Sequence, residues 1–285
     1  MADADASQRG RRPSQGEPVL DRAFRILAAF GPTAPALSLT SLSVRSGLPK
    51  STTSRIVGKL AELGVLDRTG DGKFAVGLRM LEIASLAPRG HGLRATALPY
   101  LEDLHHATQQ HVLLAVRDGS TAVLIERLSA HEAGQVLYRV GGRLPLHCTA
   151  VGLVLLAYAS PELQDEILAG DLALLPENTQ IDSRELRTQL ADVRRERLAV
   201  VSRSQPAPMT SVAAPVFGHE DRVVAALSVV VPSQTTDGAL LRPAVVAVAR
   251  AVTRAIQAHA TDSLPPICHS QGHRSPPGLP SGAGA

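Results

Sequence analysis

The first part of the chain shows apolar residues at three- and four-residue spacing, which is the period of an amphipathic α-helix. One such stripe predicts a first helix and is formed by Leu20, Ala23, Phe24, Leu27 and Phe30. Downstream, Ser38 or Thr40 can cap a second, short helix, because a side-chain oxygen there accepts from a free backbone N–H. That helix is predicted to end at Gly47, where glycine enters a left-handed turn without strain.

A third helix and a hairpin complete this N-terminal unit, which we place at residues 19–76. Pro49 favours the start of the helix and Gly64 its C-terminal end. The positions predicted to face the core are Thr53, Ile56, Leu60 and Leu63. The opposite, polar face carries Ser51, Thr52, Arg55, Lys59 and Glu62. Segments 65–68 and 73–76 can then pair as a hairpin, so the order of elements predicts a winged helix-turn-helix.

This arrangement predicts binding to duplex DNA. The N-terminal residues of the third helix reach base edges in the major groove, whereas flanking basic side chains contact phosphates. We expect the bases to be read by Ser51, Thr52 and Arg55. We expect the phosphates to be contacted by Lys50, Lys59, Arg68 and Lys73. Residues 1–90 hold thirteen Lys and Arg against eight Asp and Glu, so the excess positive charge lies where a polyanion would bind.

The composition narrows the function classes further. Only 2% of the 285 residues are aromatic and none is Trp, which argues against a single-strand or RNA reader that stacks bases on rings. The hydrophobic fraction of 44% suffices for packed cores of Leu, Val, Ala and Ile. The start of the chain lacks the apolar segment of a signal peptide, and no apolar run approaches the roughly 20 residues that cross a bilayer. We therefore expect a cytoplasmic protein that does not contact membranes.

The rest of the chain predicts a linking helix and a second unit. Leu and Ile at partly helical spacing within 77–91 predict a linker helix whose exposed apolar side suits dimer contact. In 92–260, helices are predicted at 93–106, 149–159, 161–169, 183–196 and 240–260. Strands are predicted at 112–117, 122–128, 136–140, 211–216 and 223–231. The two ends, 1–18 and 261–285, are polar or rich in Pro, Gly and Ser and are predicted to be disordered.

The segment 37–68, LSLTSLSVRSGLPKSTTSRIVGKLAELGVLDR, resembles a phrase of the IclR family of bacterial transcription regulators, LxLTxLAxxSGLPKSTxxRLLxxLExxGxLxR. The resemblance extends over about residues 18–260. It implies an effector-responsive regulator, more often a repressor than an activator, that binds an inverted-repeat operator as a dimer or a dimer of dimers. It also implies that 92–260 form a GAF-like α/β domain that senses a small molecule, which makes the whole chain α+β.

The segment 141–152, GGRLPLHCTAVG, is the most informative part of this second unit. A glycine-rich turn there leads into an apolar helix with Thr149 as its N-cap, and the N–H groups of the first turn suit a ligand carboxylate. The segment resembles the family's GxxxPLHxTAxGKxLLA, in which the residues corresponding to Ala150 and Val151 line the effector pocket. TSVAAPV and AALSVVVP resemble two further family phrases, which implies that Ser211 and Ser228 touch the effector.

Several positions depart from the family pattern towards apolar residues. The family's Lys after the pocket glycine is Leu153, and Val230 and Val231 stand in place of a serine and a glycine. An acidic pocket position falls on Val201. These departures imply a pocket with few polar groups. We therefore expect a small, mostly apolar effector that bears one carboxylate, rather than a small polar keto acid.

Two rival functions remain open. An enzyme would need a catalytic group, but His147 and Cys148 are neighbours in an extended segment, so their side chains point to opposite faces and cannot pair. His105, His106 and His111 match no standard zinc spacing, and we expect no catalytic residue, metal or cofactor. The other rival is a ligand-independent DNA-binding regulator whose C-terminal domain only dimerises. Its operator affinity would be the same in the presence of any metabolite.

Overall fold

The computed structural model describes residues 17–31, 33–87, 91–129, 138–170, 172, 182–203, 208–234 and 238–259. The chain divides into two units, Met1–Ala87 and Pro88–Ala285. Each unit has its own hydrophobic core. The ends predicted to be disordered, 1–18 and 261–285, lie outside the described residues apart from Glu17 and Pro18.

The first unit packs helices against a small sheet. Its helices are α1 (Val19–Ala28), α2 (Leu39–Ser46), α3 (Lys50–Glu62) and α4 (Leu78–Ser85). Its strands are β1 (Ala36–Leu37), β2 (Leu66–Arg68) and β3 (Phe74–Val76). In the described part of this unit the strands form an antiparallel sheet in the order β1–β3–β2. Burial of Ile26, Leu42, Ile56 and Leu66 joins the first three helices to the sheet.

The second unit is built on one antiparallel sheet. Its helices are α5 (His91–Thr108), α6 (Ala150–Ala157), α7 (Pro161–Ala169), α8 (Ser183–Glu196) and α9 (Arg242–His259). Its strands are β4 (His111–Asp118), β5 (Thr121–Leu128), β6 (Arg143–Pro145), β7 (Ala199–Arg203), β8 (Met209–Phe217) and β9 (Val223–Pro232). Over the described residues the strand order is β6–β5–β4–β9–β8–β7. Together with the largely helical first unit, this gives the predicted α+β architecture.

Helices cover both faces of this sheet. On β9, Ala226 and Val230 pack with α6 and α8, whereas Leu227 and Val229 pack with α5 and α9. The alternation follows the two-residue period of a strand. Because both faces are buried, the central strands are continuous apolar runs rather than alternating apolar and polar residues.

The helix α6 lies innermost, and all eight of its residues are buried. Its N-terminal cap is Thr149, as the sequence predicts, because the Gly152 N–H donates to the Thr149 hydroxyl at 3.1 Å. The same hydroxyl donates to the Pro145 carbonyl oxygen at 2.8 Å. A Cβ on Gly152 would lie 2.4 Å from that oxygen. Only glycine therefore allows α6 to approach β6 this closely.

Most predicted elements are present, and the differences concern short strands. The strands β1, β6 and β7 are additional to those predicted from the sequence. The strand predicted at 136–140 is not formed by Tyr138–Val140, and residues 136 and 137 lie outside the described residues. In its place β6 forms from three residues of the predicted glycine-rich turn, because they pair with the start of β5. A three-residue edge strand has no period that a sequence pattern can reveal.

The substitution Gly152→Ala should destabilise the second unit. The added methyl group meets the Pro145 carbonyl oxygen and the Thr149 side chain, so α6 or β6 must move. We expect the free energy of unfolding to fall by about 1–3 kcal/mol, which is typical of overpacking. Urea unfolding of the full chain, followed by far-ultraviolet circular dichroism, measures this change.

Gly92→Ala is the matched control for this experiment. Gly92 lies in α5 of the same unit, and a Cβ there meets no atom within 4 Å. Its free energy of unfolding should stay the same or rise slightly, because alanine favours a helix over glycine. Equal stability of the two variants would contradict the close approach of α6 and β6.

Candidate functional site

Buried hydroxyl groups hold the turn between α2 and α3. The Ser43 hydroxyl donates to the Leu48 carbonyl oxygen at 2.7 Å. Thr53 has no exposed surface, and its hydroxyl donates to the Pro49 carbonyl oxygen at 3.1 Å. Between them Gly47 turns the chain with a φ of 64°. Because these bonds are shielded from water, they fix the position of α3 against α2.

Further polar contacts connect α2 to α1. The Ser38 hydroxyl, one of the two predicted caps, accepts from a backbone N–H in the first turn of α2 at 3.1 Å. Arg25 on α1 donates to the Ser46 carbonyl oxygen at the end of α2. In the other direction, Arg45 donates to the Ala29 carbonyl oxygen at 3.1 Å. The three helices therefore form a rigid support for the outer face of α3.

The outer face of α3 is polar and open to solvent. Exposed side chains there include Lys50, Ser51, Arg55 and Lys59, with Thr52 half-buried beside them. Lys59 forms an ion pair with Glu62 at 2.9 Å, and 67% of each side chain is exposed. Such an exposed pair is weak, so the Lys59 ammonium group can exchange it for another anion. The prediction that Leu63 faces the core is wrong: Leu63 is 52% exposed, because the helix ends before it and Val57 fills the core instead.

The hairpin of β2 and β3 exposes Arg68 and Lys73. In its turn the Lys73 ammonium group lies 2.7 Å from the Asp71 carboxylate. Hydrogen bonds from Lys73 and then from Thr69 lower the pKa of Asp71 to about 2, so this carboxyl stays ionised at neutral pH. Lys73 would have to leave Asp71 to reach a phosphate. Arg68 is therefore the better placed of the two for a contact with the DNA backbone.

The four predicted effector contacts lie on one side of the second unit's sheet. Ala150 and Val151 begin α6 and are buried. Ser211 on β8 lies opposite Val230 on β9, two residues from the buried Ser228. Since side chains alternate along a strand, both serines face the side that α6 covers. The fold thus brings the two serines and the start of α6, which come from three separate segments of the chain, to the same side of the sheet.

Tyr138 and Arg203 lie on this side as well, and sequence reasoning missed both. Arg203 ends β7, and its guanidinium donates to the Tyr138 hydroxyl and lies 5.8 Å from the centre of that ring. Burial raises the pKa of Tyr138 above its ordinary value, so the hydroxyl stays protonated and can donate to a further group. Tyr138, Val201 and Met209 pack against the cluster that contains Val151. A cationic group and an aromatic ring therefore border the same apolar cluster as α6.

The first turn of α6 is less open than the sequence suggests. The Gly152 N–H, one of the groups expected to receive a carboxylate, is already bonded to Thr149.

Within the described ranges, no three His, Cys, Asp or Glu side chains are grouped to hold a metal ion. In the same ranges, no helix has both the length and the apolar character to cross a membrane.

Two family models match the chain. Residues 19–70 match the IclR helix-turn-helix domain. Residues 87–258 match the model described as bacterial transcriptional regulator IclR C-terminal. Between them, the matches include the exposed face of α3 and all four residues predicted to contact an effector.

Individual relatives extend this similarity over most of the chain. The HTH-type transcriptional regulator XynR of Escherichia coli is 32% identical over 224 residues, which cover 78% of this chain and 89% of XynR. An IclR homolog from Microbacterium hydrocarbonoxydans, crystallised in complex with 4-hydroxybenzoate, is 33% identical with a TM-score of 0.79. That similarity covers 85% of this chain and 100% of the other. A putative IclR transcriptional regulator from a Silicibacter species is 27% identical with a TM-score of 0.70, covering 84% of this chain and 96% of its own.

Proposed function

We propose, since the chain belongs to the IclR family of bacterial DNA-binding transcriptional regulators, that it is a repressor whose DNA binding is controlled by a small molecule. In this proposal the first unit binds an inverted-repeat operator and the second binds a small, mostly apolar carboxylate. The observation that carries it is the exposed polar face of α3, which is supported by buried hydroxyl bonds at its turn.

The proposed DNA contacts follow from position and charge on α3 and the hairpin. Ser51 and Thr52 lie in the first turn of α3, where small side chains let the backbone approach the bases. Arg55 follows one turn later, and its guanidinium fits the two acceptors of guanine in the major groove. The remaining candidates would contact phosphates and are Lys50, Lys59, Arg68 and Lys73.

Arg55→Gln and Lys59→Gln should weaken DNA binding in different ways. R55Q removes a base contact, so discrimination against one mutated base pair should fall by about 1–3 kcal/mol. K59Q removes a phosphate contact, so all duplexes should bind more weakly and the slope of log affinity against log salt should fall by about one. Fluorescence anisotropy with a selected operator and its single-base variants, at several salt concentrations, measures both effects.

Glu62→Gln is the control, because Glu62 shares the exposed face of α3 and is the ion-pair partner of Lys59. Its loss removes a negative charge near the DNA, so operator affinity should stay equal or rise. If R55Q and K59Q lose specificity to the same extent, the assignment of base and phosphate contacts is wrong.

Exposed apolar side chains on α1 and on α4 support a homodimer. The exposed fractions are 69% for Leu20, 68% for Phe24, 73% for Leu78 and 66% for Leu81. Several large apolar side chains exposed on one helix mark an interaction surface. A second copy of the chain is the partner that fits, because an inverted-repeat operator presents two equivalent half-sites related by a two-fold axis.

Leu81→Glu should weaken this dimer, because the new carboxylate would be buried without a partner. The full chain should then dissociate at concentrations at which the wild type is dimeric, as measured by analytical ultracentrifugation. Val44→Glu adds the same charge at a residue of α2 that is 76% exposed. The molar mass of this variant in solution should match that of the wild type. An unchanged molar mass for L81E in solution would exclude the exposed face of α4 as the dimer contact.

The effector proposal rests on the groups that surround Val151 and Tyr138. Arg203 supplies a positive charge for a carboxylate, while Ser211 and Ser228 supply hydroxyl groups on the same side of the sheet. The 4-hydroxybenzoate held by the Microbacterium relative has a carboxylate, a ring and a hydroxyl group that suit these three kinds of contact. We therefore take an aromatic carboxylic acid as the class of effector.

Arg203→Gln should weaken binding of 4-hydroxybenzoate more than tenfold, because a charge-assisted hydrogen bond of about 1.5–3 kcal/mol is lost. Phenol lacks the carboxylate, so any affinity for it should be the same in wild type and R203Q. Isothermal titration calorimetry of the full chain with both probes measures the difference. Operator binding in the presence of 4-hydroxybenzoate then reports whether the ligand acts on DNA affinity.

Arg187→Gln is the matched control, because Arg187 is an exposed arginine of α8 that pairs with Asp165 at 3.1 Å. It should bind 4-hydroxybenzoate as the wild type does. If neither 4-hydroxybenzoate nor other aromatic acids bind the wild-type chain or change its operator affinity, a ligand-independent regulator describes the protein better.

A further inference from the structure

A groove of about 510 Å³ lies at the edge of the second unit's sheet. It forms where β8 extends beyond β7: the pairing with β7 ends at Ala213, but β8 continues to Phe217. One wall is α9, and the other is made by residues at the C-terminal ends of α6 and α8. None of the residues proposed to bind the effector is among its described lining.

Arginine side chains dominate the charge of this groove. They are Arg194, Arg197, Arg250 and Arg254, and all four are exposed. Asp221 is the single carboxylate among the described lining residues. No ion pair joins any of the four arginines to another described residue. Four positive charges around one small space repel one another, and a bound anion would remove that repulsion.

Several of these groups are held in position before any ligand binds. Arg194 donates to the Ala157 carbonyl oxygen at 3.1 Å. The guanidinium of Arg197 lies 5.4 Å from the centre of the Phe217 ring, and that ring meets Tyr158 edge-on at 5.5 Å. Side chains from three separate segments of the chain, the ends of α6, α8 and β8, are thus directed to one space. The helix α9 adds two arginines that are one helical turn apart.

The floor of the groove does not suit a peptide that adds a strand to the sheet. Pro215 has no N–H, and the Phe217 N–H already donates to the Thr253 hydroxyl at 3.0 Å. Strand addition needs such donors along the edge. In contrast, the Tyr158 hydroxyl is buried and has no hydrogen-bond partner among the described residues. Burial raises its pKa, although Arg197 and Arg194 act in the opposite direction, so it remains a donor at neutral pH.

We propose that this groove binds a small anion with two or more negative charges, such as a diphosphate or a polycarboxylate. The guanidinium group offers a planar pair of donors that matches both phosphate and carboxylate oxygens. The volume is within the range of small-molecule sites. The anion would be a second ligand of the chain, separate from the proposed effector, and it would connect the end of α8 to α9.

Isothermal titration calorimetry of the full chain tests this inference with pyrophosphate and, separately, citrate, at an ionic strength kept constant with chloride. The wild type should bind at least one of them saturably, at one site per chain, and the preferred probe identifies phosphate or carboxylate as the recognised group. The double variant R250Q/R254Q should weaken that binding at least about tenfold, because two charge-assisted contacts are lost.

The double variant R187Q/R195Q is the matched control. It removes two exposed arginines of α8 that pair with Asp165 and Asp192 outside the groove, and it should bind as the wild type does. Circular dichroism of each variant verifies that the fold is retained. Absence of saturable binding to the wild type, or equal losses in the two double variants, would overturn the inference.

Operator binding and the response to 4-hydroxybenzoate are measured on the same variants. If R250Q/R254Q still binds both anions but loses affinity for the operator, the groove is a DNA contact and the inference is wrong. If pyrophosphate and citrate fail to bind while operator and 4-hydroxybenzoate binding are normal, only this inference fails. The two proposals are therefore tested independently.

Discussion

The position of α6 determines the rest of the second unit. A helix that is apolar on every side cannot present a face to water, so the sheet must be apolar beneath it and α8 must cover it. Its N-terminus lies against the backbone of β6 because Gly152 has no side chain. The residues proposed to line the effector pocket are the first residues of this same helix. The packing that stabilises the core therefore also sets the wall of the proposed effector pocket.

The first unit is held together differently, because its hydrophobic core is small. Few apolar side chains are available to hold α3 at a defined angle, and small cores supply little stability. Buried hydroxyl groups at Ser43 and Thr53 supply directional bonds instead. A hydrogen bond specifies an angle as well as a distance, whereas apolar contact is non-directional. The proposed presentation of α3 to DNA depends on that directionality.

Local patterns in the sequence were sufficient to predict the bounds of helices that begin at a capping residue. The predicted bounds of α7 and α8 agree with the structure, because the Ser160 and Asp182 side chains cap the first turns of these helices. Thr149 was identified for the same reason. The strand β7 was missed, although its Ala-Val-Val start is typical of a strand, because it follows α8 after only two residues. Leu63 was misplaced, since periodicity cannot locate the last turn of a helix to one residue.

The proposed effector contacts could be predicted only where family phrases covered them. Ser211 and Ser228 came from resemblance, and no spacing between them indicates that they share one face of the sheet. The contact between Tyr138 and Arg203 joins residues 65 positions apart in the chain. It depends on β7 pairing with β8 so that Arg203 lies opposite Met209. Tertiary register of this kind leaves no local signal in the sequence.

One strand, β8, contributes to both proposed ligand sites. Ser211 lies near its start on the effector side, and Phe217 borders the arginine groove about 20 Å further along at roughly 3.3 Å per residue. The strand pairs with β9 over this whole length, so a shift of β8 is transmitted to Ser228 as well. Two ligands that favour different positions of a shared strand change each other's affinity by the same factor. In the two proposals taken together, an apolar acid and a polyanion would affect each other's binding through β8, without a third domain.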